Sequence, residues 1–317
     1  MDDCIKFVFF GTPEFAVGVL RALEQRDRTP LAVVCQPDRP KGRGRKTVSP
    51  PAKLWAQKRS IPVLQPRNQK DPDYILSLSS LDADLAVVAA YGQILPASLL
   101  NIPPMGFINV HPSLIPKYRG AAPIQWTLIN GDEQTGVSIL QVTPGLDDGD
   151  ILQQQSVMIE PDETAPELAQ RLAEIGGHLC SRVITGFEVN KGPVDGTVQN
   201  ETLVSWAPQL DKSHGNIDWT QPAHKIHNLV RGVQPWPGAK TKFRTKLLKI
   251  HRSKIIGHVP TASDVAGKII EAKGDSLLVQ TGDGILALVE VQAAGKKKMP
   301  VRAFLSGQKI EPGEILG

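Results

Sequence analysis

The chain of 317 residues contains little cysteine, few aromatic residues and no long hydrophobic run. Its three cysteines, Cys4, Cys35 and Cys180, form neither a CxxC pair nor a disulfide framework, which favours a reducing cytoplasm. The longest apolar stretches, such as residues 85–91, are far shorter than the ~20 residues that a membrane-spanning helix needs. The acidic start, residues 1–3, is not typical of a signal or transit peptide.

The glycine fingerprint of a dinucleotide-binding fold is also missing. The first predicted strand, residues 5–10, ends at Gly11-Thr12-Pro13, where such folds carry GxGxxG. Only one glycine of the fingerprint is present, and Pro13 removes a backbone donor. The sequence therefore disfavours a nicotinamide-dependent enzyme, although this strand-to-helix turn can still line a pocket.

Charge is distributed unevenly along the chain. Residues 1–208 carry 19 Lys and Arg against 23 Asp and Glu, a net charge of −4. Residues 209–317 carry 17 against 9, a net charge of +8. Clustered positive charge attracts polyanions, so a phosphate-rich partner is one interpretation. A solvated lysine-rich surface is the simpler explanation of the charge alone.

Short apolar runs alternate with amphipathic stretches in the first part of the chain. The runs at residues 5–10, 31–35 and 85–89 are apolar throughout or nearly so. Fully apolar strands separated by helices predict a mostly parallel, Rossmann-like sheet that is covered on both faces. Such sheets bind ligands beyond the carboxyl ends of their strands. We therefore expect the site in the loops that begin at Gly11, Gln36, Ala90 and Asn109.

The sequence pattern changes in the last third of the chain. A long helix is predicted from Glu160 to Phe187, and glycines with one proline then indicate an irregular linker. After about Pro208, short alternating strands broken by glycines predict a small β-barrel. We expect an α/β domain over residues 1–189, a linker over 190–208 and a β-barrel domain over 209–317.

The densest basic run holds five Lys and Arg among the eight residues that start at Arg39. They are Arg39, Lys41, Arg43, Arg45 and Lys46. The interleaved glycines predict a surface loop, because they neither stabilise a helix nor supply apolar side chains. A solvated loop is one explanation. A loop that binds RNA phosphates through arginine forks is the other, and its place after a strand favours it.

An amide and an imidazole are predicted to project together from one strand. Residues two apart in a strand point the same way, so Asn109 and His111 share a face. Hydrogen-bond donors of this kind suit a developing oxyanion, as in acyl transfer. A histidine two residues from an asparagine is, on its own, more often structural.

An acidic loop, Asp147-Asp148-Gly149-Asp150, separates two predicted strands. Such loops are common turns, and this one lacks the alternating ligands and terminal Glu of an EF-hand. One of its carboxylates could instead orient His111. Asn, His and Asp together would serve direct attack by a substrate amine on an acyl group, without a Ser or Cys nucleophile.

Two histidines of a predicted helix, His224 and His227, have i, i+3 spacing. No further ligand candidate is close to them in sequence, so we interpret them as an exposed helix turn. The sequence predicts no metal site.

Several motifs together resemble one family. Asn109-x-His111, Ser113-Leu114-Ile115-Pro116 and an Asp 36 residues beyond His111 resemble the folate-dependent formyltransferases. Residues 36–44, 117–125, 145–150, 236–238 and 295–299 are similar to the methionyl-tRNA formyltransferase family in particular. Departures are small: Ile115 stands where Leu is usual, Pro112 where Gly is frequent and Tyr118 where some members have Trp.

The resemblance implies both an activity and a site. The formyl donor would be N10-formyltetrahydrofolate, and the acceptor would be the α-amine of methionyl initiator tRNA. Asn109 and His111 would stabilise the oxyanion and Asp147 would assist, with no metal. The implied folate-binding residues are Ala89, Ala90, Tyr91, Gly92, Ile94, Ser113, Leu114, Ile115, Pro116, Pro144, Gly145 and Leu146. The implied tRNA-binding residues are the five of the basic run with Lys296, Lys297 and Lys298. The resemblance also implies a monomer, an OB-like C-terminal barrel and a location in the bacterial cytoplasm.

Three alternatives stay open from the sequence. A formyltransferase for a glycinamide ribonucleotide or an aminosugar nucleotide shares the motif but leaves the basic loop without a purpose. A hydrolase that releases formate from formyl-folate would use the same three residues. A non-enzymatic RNA-binding protein would explain the barrel and the loop, but not Asn109, His111 and Asp147.

Overall fold

The computed structural model describes residues 4–41, 46–257 and 265–317. The chain forms two compact units. Unit 1 comprises residues 1–123, 134–157 and 169–207, and unit 2 comprises residues 124–133, 158–168 and 208–317. Two short stretches of the predicted first domain are therefore part of the unit that holds the C-terminal third.

Unit 1 is built on a seven-stranded sheet in the order β5-β2-β1-β6-β7-β8-β9. The strands in chain order are β1 Phe7–Gly11, β2 Ala32–Val34, β3 Arg39–Lys41, β4 Lys46–Val48, β5 Val63–Leu64, β6 Leu85–Ala89, β7 Phe107–His111, β8 Gln134–Gln141 and β9 Ile151–Met158. Five neighbouring strands pair in parallel, in the order β5, β2, β1, β6 and β7, and β8 runs antiparallel to β7. β3 and β4 form a separate hairpin.

The apolar runs form the central strands, as predicted. Every residue of β1 and β6 is buried, which explains why their sequences do not alternate. The connecting helices are α1 Glu14–Glu24, α2 Pro51–Gln57, α3 Pro72–Ser79, α4 Ala97–Leu100, α5 Pro123–Asn130 and α6 Ala165–Asn190. Adjacent glycines let α6 approach its neighbours closely: a Cβ on Gly176 would lie 2.6 Å from Val110, and one on Gly177 would lie 2.7 Å from the Val19 carbonyl.

The long helix α6 begins later than the sequence predicts. We expected its start at Glu160, but it begins at Ala165. The backbone N–H and the hydroxyl of Thr164 both donate to Glu167, at 2.9 and 2.6 Å, and fix the first turn there. Burial opposes ionisation of Glu167, but these bonds and one from Arg252 lower the pKa of its carboxyl to about 2.

The C-terminal elements form an antiparallel sheet in the order β10-β11-β14-β13-β12, with β15 on β14. They are α7 Ala223–Gly232, β10 Ala239–Phe243, β11 Lys246–Ile256, β12 Ile269–Lys273, β13 Ser276–Gln280, β14 Ile285–Ala293, β15 Met299–Pro300 and α8 Val301–Ser306. Phe243 pairs with Leu316, and Lys268 pairs with Ile315. Residues 315–316 thus join the two outer strands and close the sheet into a barrel.

The predicted fold class, a mostly parallel α/β sheet followed by a β-barrel domain, is confirmed. One expectation was wrong: His227 is buried in α7, whereas His224 is exposed. The His227 ring nitrogens lie 3.0 Å from the Ser253 hydroxyl and 3.1 Å from the Pro161 carbonyl, and burial lowers the pKa of this histidine. Within the described ranges, no helix combines the length and apolar character that crossing a membrane requires.

Candidate active site

The last residues of β7 carry the predicted amide and imidazole. Asn109 pairs with Val88 of β6 in the parallel ladder, and His111 pairs with Ser138 of β8 in the antiparallel one. Asn109 is half-buried and His111 is 3% exposed. Both side chains are therefore held where the parallel part of the sheet meets the antiparallel part.

The loop between β8 and β9 places Asp147 against both residues. The Asn109 amide donates to Asp147 Oδ1 at 3.2 Å, and Asp147 Oδ2 lies 3.6 Å from His111 Nδ1. The Gly120 backbone N–H donates to the same Oδ2 at 2.9 Å. Asp147 adopts φ +52°, a left-handed conformation that side chains disfavour and that clusters at functional sites. The three predicted residues converge around one carboxylate.

The two nitrogens of His111 have different partners. Nε2 lies 3.0 Å from the Tyr118 carbonyl, which can only accept a hydrogen bond and therefore fixes a proton on Nε2. Nδ1 faces the Asp147 carboxylate beyond ordinary hydrogen-bond length. Nδ1 is therefore the ring nitrogen that faces the carboxylate to which Asn109 also donates.

The loop that follows β6 is fixed through its backbone. Ala90 has φ +49° and Gly92 has φ +77°. The Thr12 hydroxyl donates to the Tyr91 carbonyl at 3.0 Å, and the Gln36 amide donates to the carbonyls of Tyr91 and Gly92, each at 3.0 Å. The sequence indicated the loops at Gly11 and Gln36 only because they follow predicted strands. No motif predicted the hydrogen bonds that Thr12 and Gln36 donate.

Two predicted folate-binding residues of this region face different surroundings. The Tyr91 ring is buried against Phe10, edge to face at 5.4 Å, and burial raises the pKa of its hydroxyl to about 12. Its side chain belongs to the core, so only its backbone can meet a ligand at the loop. Ile94, in contrast, is 88% exposed and lines a cavity of about 390 Å³ with Arg67, Gln69 and Lys70 among others.

The other predicted folate-binding segments also differ in exposure. Ser113 and Ile115 are buried, and the Ser113 hydroxyl donates to the Lys117 carbonyl at 2.7 Å. Leu114 and Pro116 are half-buried. Gly145 and Leu146 are exposed on the loop that carries Asp147, and Pro144 is exposed beside them. Ser113 and Ile115 thus offer little accessible surface, whereas residues 144–146 offer more.

Those predicted tRNA-binding residues that the structure describes lie on two hairpins. Arg39 is exposed on β3, and Lys41 and Lys46 end β3 and begin β4. Arg43 and Arg45 lie outside the described residues. Asp38 lies at the base of this hairpin, and Gln65, Lys53 and Ser49 all donate to its carboxyl. These hydrogen bonds lower the pKa of Asp38, and the one from Gln65 has the largest effect.

The second hairpin joins β14 to β15 in the barrel. Lys296, Lys297 and Lys298 are exposed there, and the Lys298 ammonium lies 2.8 Å from Glu290. In the part of the chain that the structure describes, no three His, Cys, Asp or Glu side chains group as a metal site would need.

Comparison with known proteins decides the family. Residues 5–184 match the formyl transferase family, and residues 209–309 match the formyl transferase C-terminal domain. The chain is 44% identical over 313 residues to "Methionyl-tRNA formyltransferase" of Geobacter metallireducens, with 99% of each chain covered. The chain belongs to the methionyl-tRNA formyltransferase family. The same-named protein of Clostridioides difficile is 43% identical over 99% of this chain and 100% of its own.

Solved structures share the fold of this formyltransferase. HypX from Aquifex aeolicus superimposes with a TM-score of 0.67 at 16% identity over 98% of this chain, which spans about half (49%) of the HypX chain. An N-formyltransferase from Helicobacter canadensis, with folinic acid and dTDP-3-aminofucose, gives 0.63 at 18% identity over 91% of this chain and 99% of that chain. The family and the enzyme class predicted from the motifs are confirmed.

Proposed function

We propose that this formyltransferase moves the formyl group of N10-formyltetrahydrofolate to the α-amine of methionyl initiator tRNA. Near-full-length similarity to methionyl-tRNA formyltransferases supports the pair of substrates. The convergence of Asn109, His111 and Asp147 carries the chemistry, because Asp147 lies 3.2 Å from the Asn109 amide and 3.6 Å from the His111 ring. No covalent enzyme intermediate is required.

In the proposed reaction, the amine nitrogen bonds to the formyl carbon and the carbonyl oxygen becomes an oxyanion. The Asn109 amide has a second N–H beyond the one given to Asp147, and this N–H can donate to the oxyanion. His111 in its charged form supplies a further donor from Nδ1. Removing one donor of this kind typically costs ~10²–10³ in rate.

Collapse of the intermediate requires a proton to move. The bond from carbon to the folate N10 breaks, and the proton lost by the amine ends on N10. We propose that Asp147 assists this transfer, directly or through a water, while its charge stabilises the imidazolium of His111. The half-buried site strengthens that stabilisation because water screens it less than at an open surface.

The folate-binding residues are proposed to act by backbone and by surface. The carbonyls and N–H groups of the loop over residues 89–92 can pair with the amide-like edge of the pterin. Ile94 and the exposed turn over residues 144–146 offer apolar surface to the same ligand.

The polyanionic partner is proposed to bind two basic segments. One is the basic run with Arg39, Lys41, Arg43, Arg45 and Lys46, and the other is the turn at Lys296–Lys298. The net charge of +8 on residues 209–317 supports an RNA partner. We further propose domain limits at residues 189 and 209, a monomer, a cytoplasmic location and no requirement for a metal.

One assay tests the proposal. The protein is mixed with N10-formyltetrahydrofolate and charged initiator tRNA, and formyl-methionine is measured after release from the tRNA. We expect His111→Ala to lose at least ~10²-fold in kcat, whereas His224→Ala, an exposed histidine of α7, retains wild-type kcat. A His111→Ala protein with full kcat contradicts the mechanism. Formate release without acceptor identifies a hydrolase instead.

A further inference from the structure

The segment between the two matched family regions takes part in the site. We predicted an irregular linker over residues 190–208, but residues 197–207, here called the closing segment, pair with the loops of unit 1. Thr197 pairs with Ile151 at the start of β9. The Arg119 N–H donates to the Ser205 carbonyl at 2.9 Å, and the Ala207 N–H donates back to the Arg119 carbonyl at 2.8 Å.

These bonds place the Gly120 N–H that holds Asp147. Gly120 has φ +124°, and a Cβ there would lie 2.8 Å from the Ala207 carbonyl, so only glycine allows the closing segment this near. The Ala122 N–H also donates to that carbonyl, at 3.1 Å. One donor to the Asp147 carboxylate is thus set by backbone outside the predicted motif.

Gln199 holds the Asp147 loop from the other side. Its amide nitrogen donates to the carbonyl of Asp147 at 2.8 Å and to that of Gly149 at 2.7 Å. The loop backbone is tightly constrained there, because Asp147 is left-handed and a Cβ on Gly149 would lie 2.0 Å from the Gln141 carbonyl. Gln199 is 6% exposed, so water does not readily replace these two bonds.

A buried arginine fixes the orientation of the Gln199 amide. Arg119 is 4% exposed, and its Nε and one terminal nitrogen donate to Gln199 Oε1 at 3.0 and 2.6 Å. Glu201 holds the same guanidinium at 2.7 Å. Because a guanidinium only donates, the oxygen of the amide must face Arg119 and the NH₂ must face the loop.

We infer that Gln199 is a positioning residue for formyl transfer. It holds the backbone of Asp147 so that the carboxylate stays between Asn109 and His111. The inference rests on the proposed function of the site, but not on which amine accepts the formyl group. A side chain that only stabilised the fold would change the melting temperature and leave kcat unchanged.

The sharpest variant is Gln199→Glu. Its carboxylate keeps an acceptor for Arg119 but places an oxygen against the two carbonyls, so it breaks the bonds to the loop and keeps those from Arg119. Gln234→Glu is a matched control in unit 2. Gln234 is 7% exposed, and its amide also donates to two carbonyls, those of Val230 at 3.2 Å and Ile250 at 3.1 Å.

Both variants are assayed for kcat at saturating formyl-folate and tRNA, and for KM with formyl-folate varied at saturating tRNA. Thermal melts are recorded for each protein. We expect comparable falls in melting temperature, but a kcat loss of at least about tenfold only in Gln199→Glu, with KM for formyl-folate within about threefold of wild type. A kcat within about twofold of wild type in folded Gln199→Glu overturns the inference.

Gln199→Ala guards against a variant that does not fold, since it removes the repulsion together with the two bonds. We expect its kcat to fall by about tenfold as well, and a folded Gln199→Ala protein with wild-type kcat overturns the inference equally. Failure of the proposed function is a separate result, because the wild-type protein itself would then form no formyl-methionyl-tRNA.

Discussion

Replacing Asp147 by asparagine changes one atom of the site and two of its interactions. Both carboxylate oxygens face donors: Oδ1 accepts from Asn109 at 3.2 Å, and Oδ2 accepts from the Gly120 N–H at 2.9 Å. In either orientation of the substituted side chain, its NH₂ group would point at a donor. The Asp147→Asn protein must therefore break one hydrogen bond and also lose the charge that faces His111.

The size of the effect follows from the distances. Two unit charges 3.6 Å apart attract by about 4–5 kcal/mol at an effective dielectric constant of ~20. Water around the carboxyl, which is 13% exposed, lowers that attraction. One lost charge-assisted hydrogen bond adds ~1.5–3 kcal/mol. Part of this loss falls on the ground state, so we expect kcat to drop ~10²–10³-fold at 1.36 kcal/mol per factor of ten.

Single-turnover formylation at saturating formyl-folate measures this loss directly. Asp148→Asn is the control, because Asp148 is the neighbour in the same loop and bonds to the Thr143 hydroxyl instead. We expect Asp148→Asn to keep kcat within about threefold of wild type. If Asp147→Asn is as active as Asp148→Asn, Asp147 takes no part in the chemical step.

Three further predictions concern the contact between Gly120 and Ala207, the pH dependence of stability and the RNA partner. At Gly120, φ is +124° and a Cβ would lie 2.8 Å from the Ala207 carbonyl. Gly120→Ala should therefore lower the free energy of unfolding in urea by ~1–3 kcal/mol and also lower kcat. Wild-type values of both would contradict the close contact between Gly120 and Ala207. Burial lowers the pKa of His227 below 6.5, so the contribution of this histidine to stability is full above that pH and is lost as the pH falls. The drop in melting temperature between about pH 7.5 and 5.5 should therefore shrink in His227→Gln. An unchanged drop would refute this. Arg43→Ala should raise KM for tRNA at least about fivefold and make that KM less dependent on salt, while KM for formyl-folate stays unchanged. Equal rises in both KM values would show that the basic loop supports the formyl-folate pocket instead.

The parallel sheet could be predicted because burial on both faces leaves a direct mark in the sequence. β1 and β6 are apolar at every position, and their carboxyl ends point to the loops that the structure places around the site. The convergence of Asn109, His111 and Asp147 was also predicted, because the resemblance linked residues 36 positions apart. Strand spacing alone joined Asn109 to His111, but it did not single out Asp147 within the acidic loop.

Other features leave no pattern to read. Gln199 acts through bonds to backbone carbonyls, which any sequence possesses, so no motif announces its partners. His227 was expected to be exposed because no further ligand candidate is close to it in sequence. Its ring instead contacts the Pro161 carbonyl, which belongs to a distant stretch of chain. Tyr91 stands in a predicted ligand loop, yet its ring packs into the core. Side-chain direction at such positions depends on tertiary packing.

The closing segment bears on how this enzyme can be cut or recombined. A junction placed at residue 190, where the long helix α6 ends, would remove Gln199 and the backbone that sets Gly120. A junction after Ala207 keeps both. A catalytic segment taken from this chain therefore extends past its last long helix, and a chimera built on it must carry residues 197–207 as well.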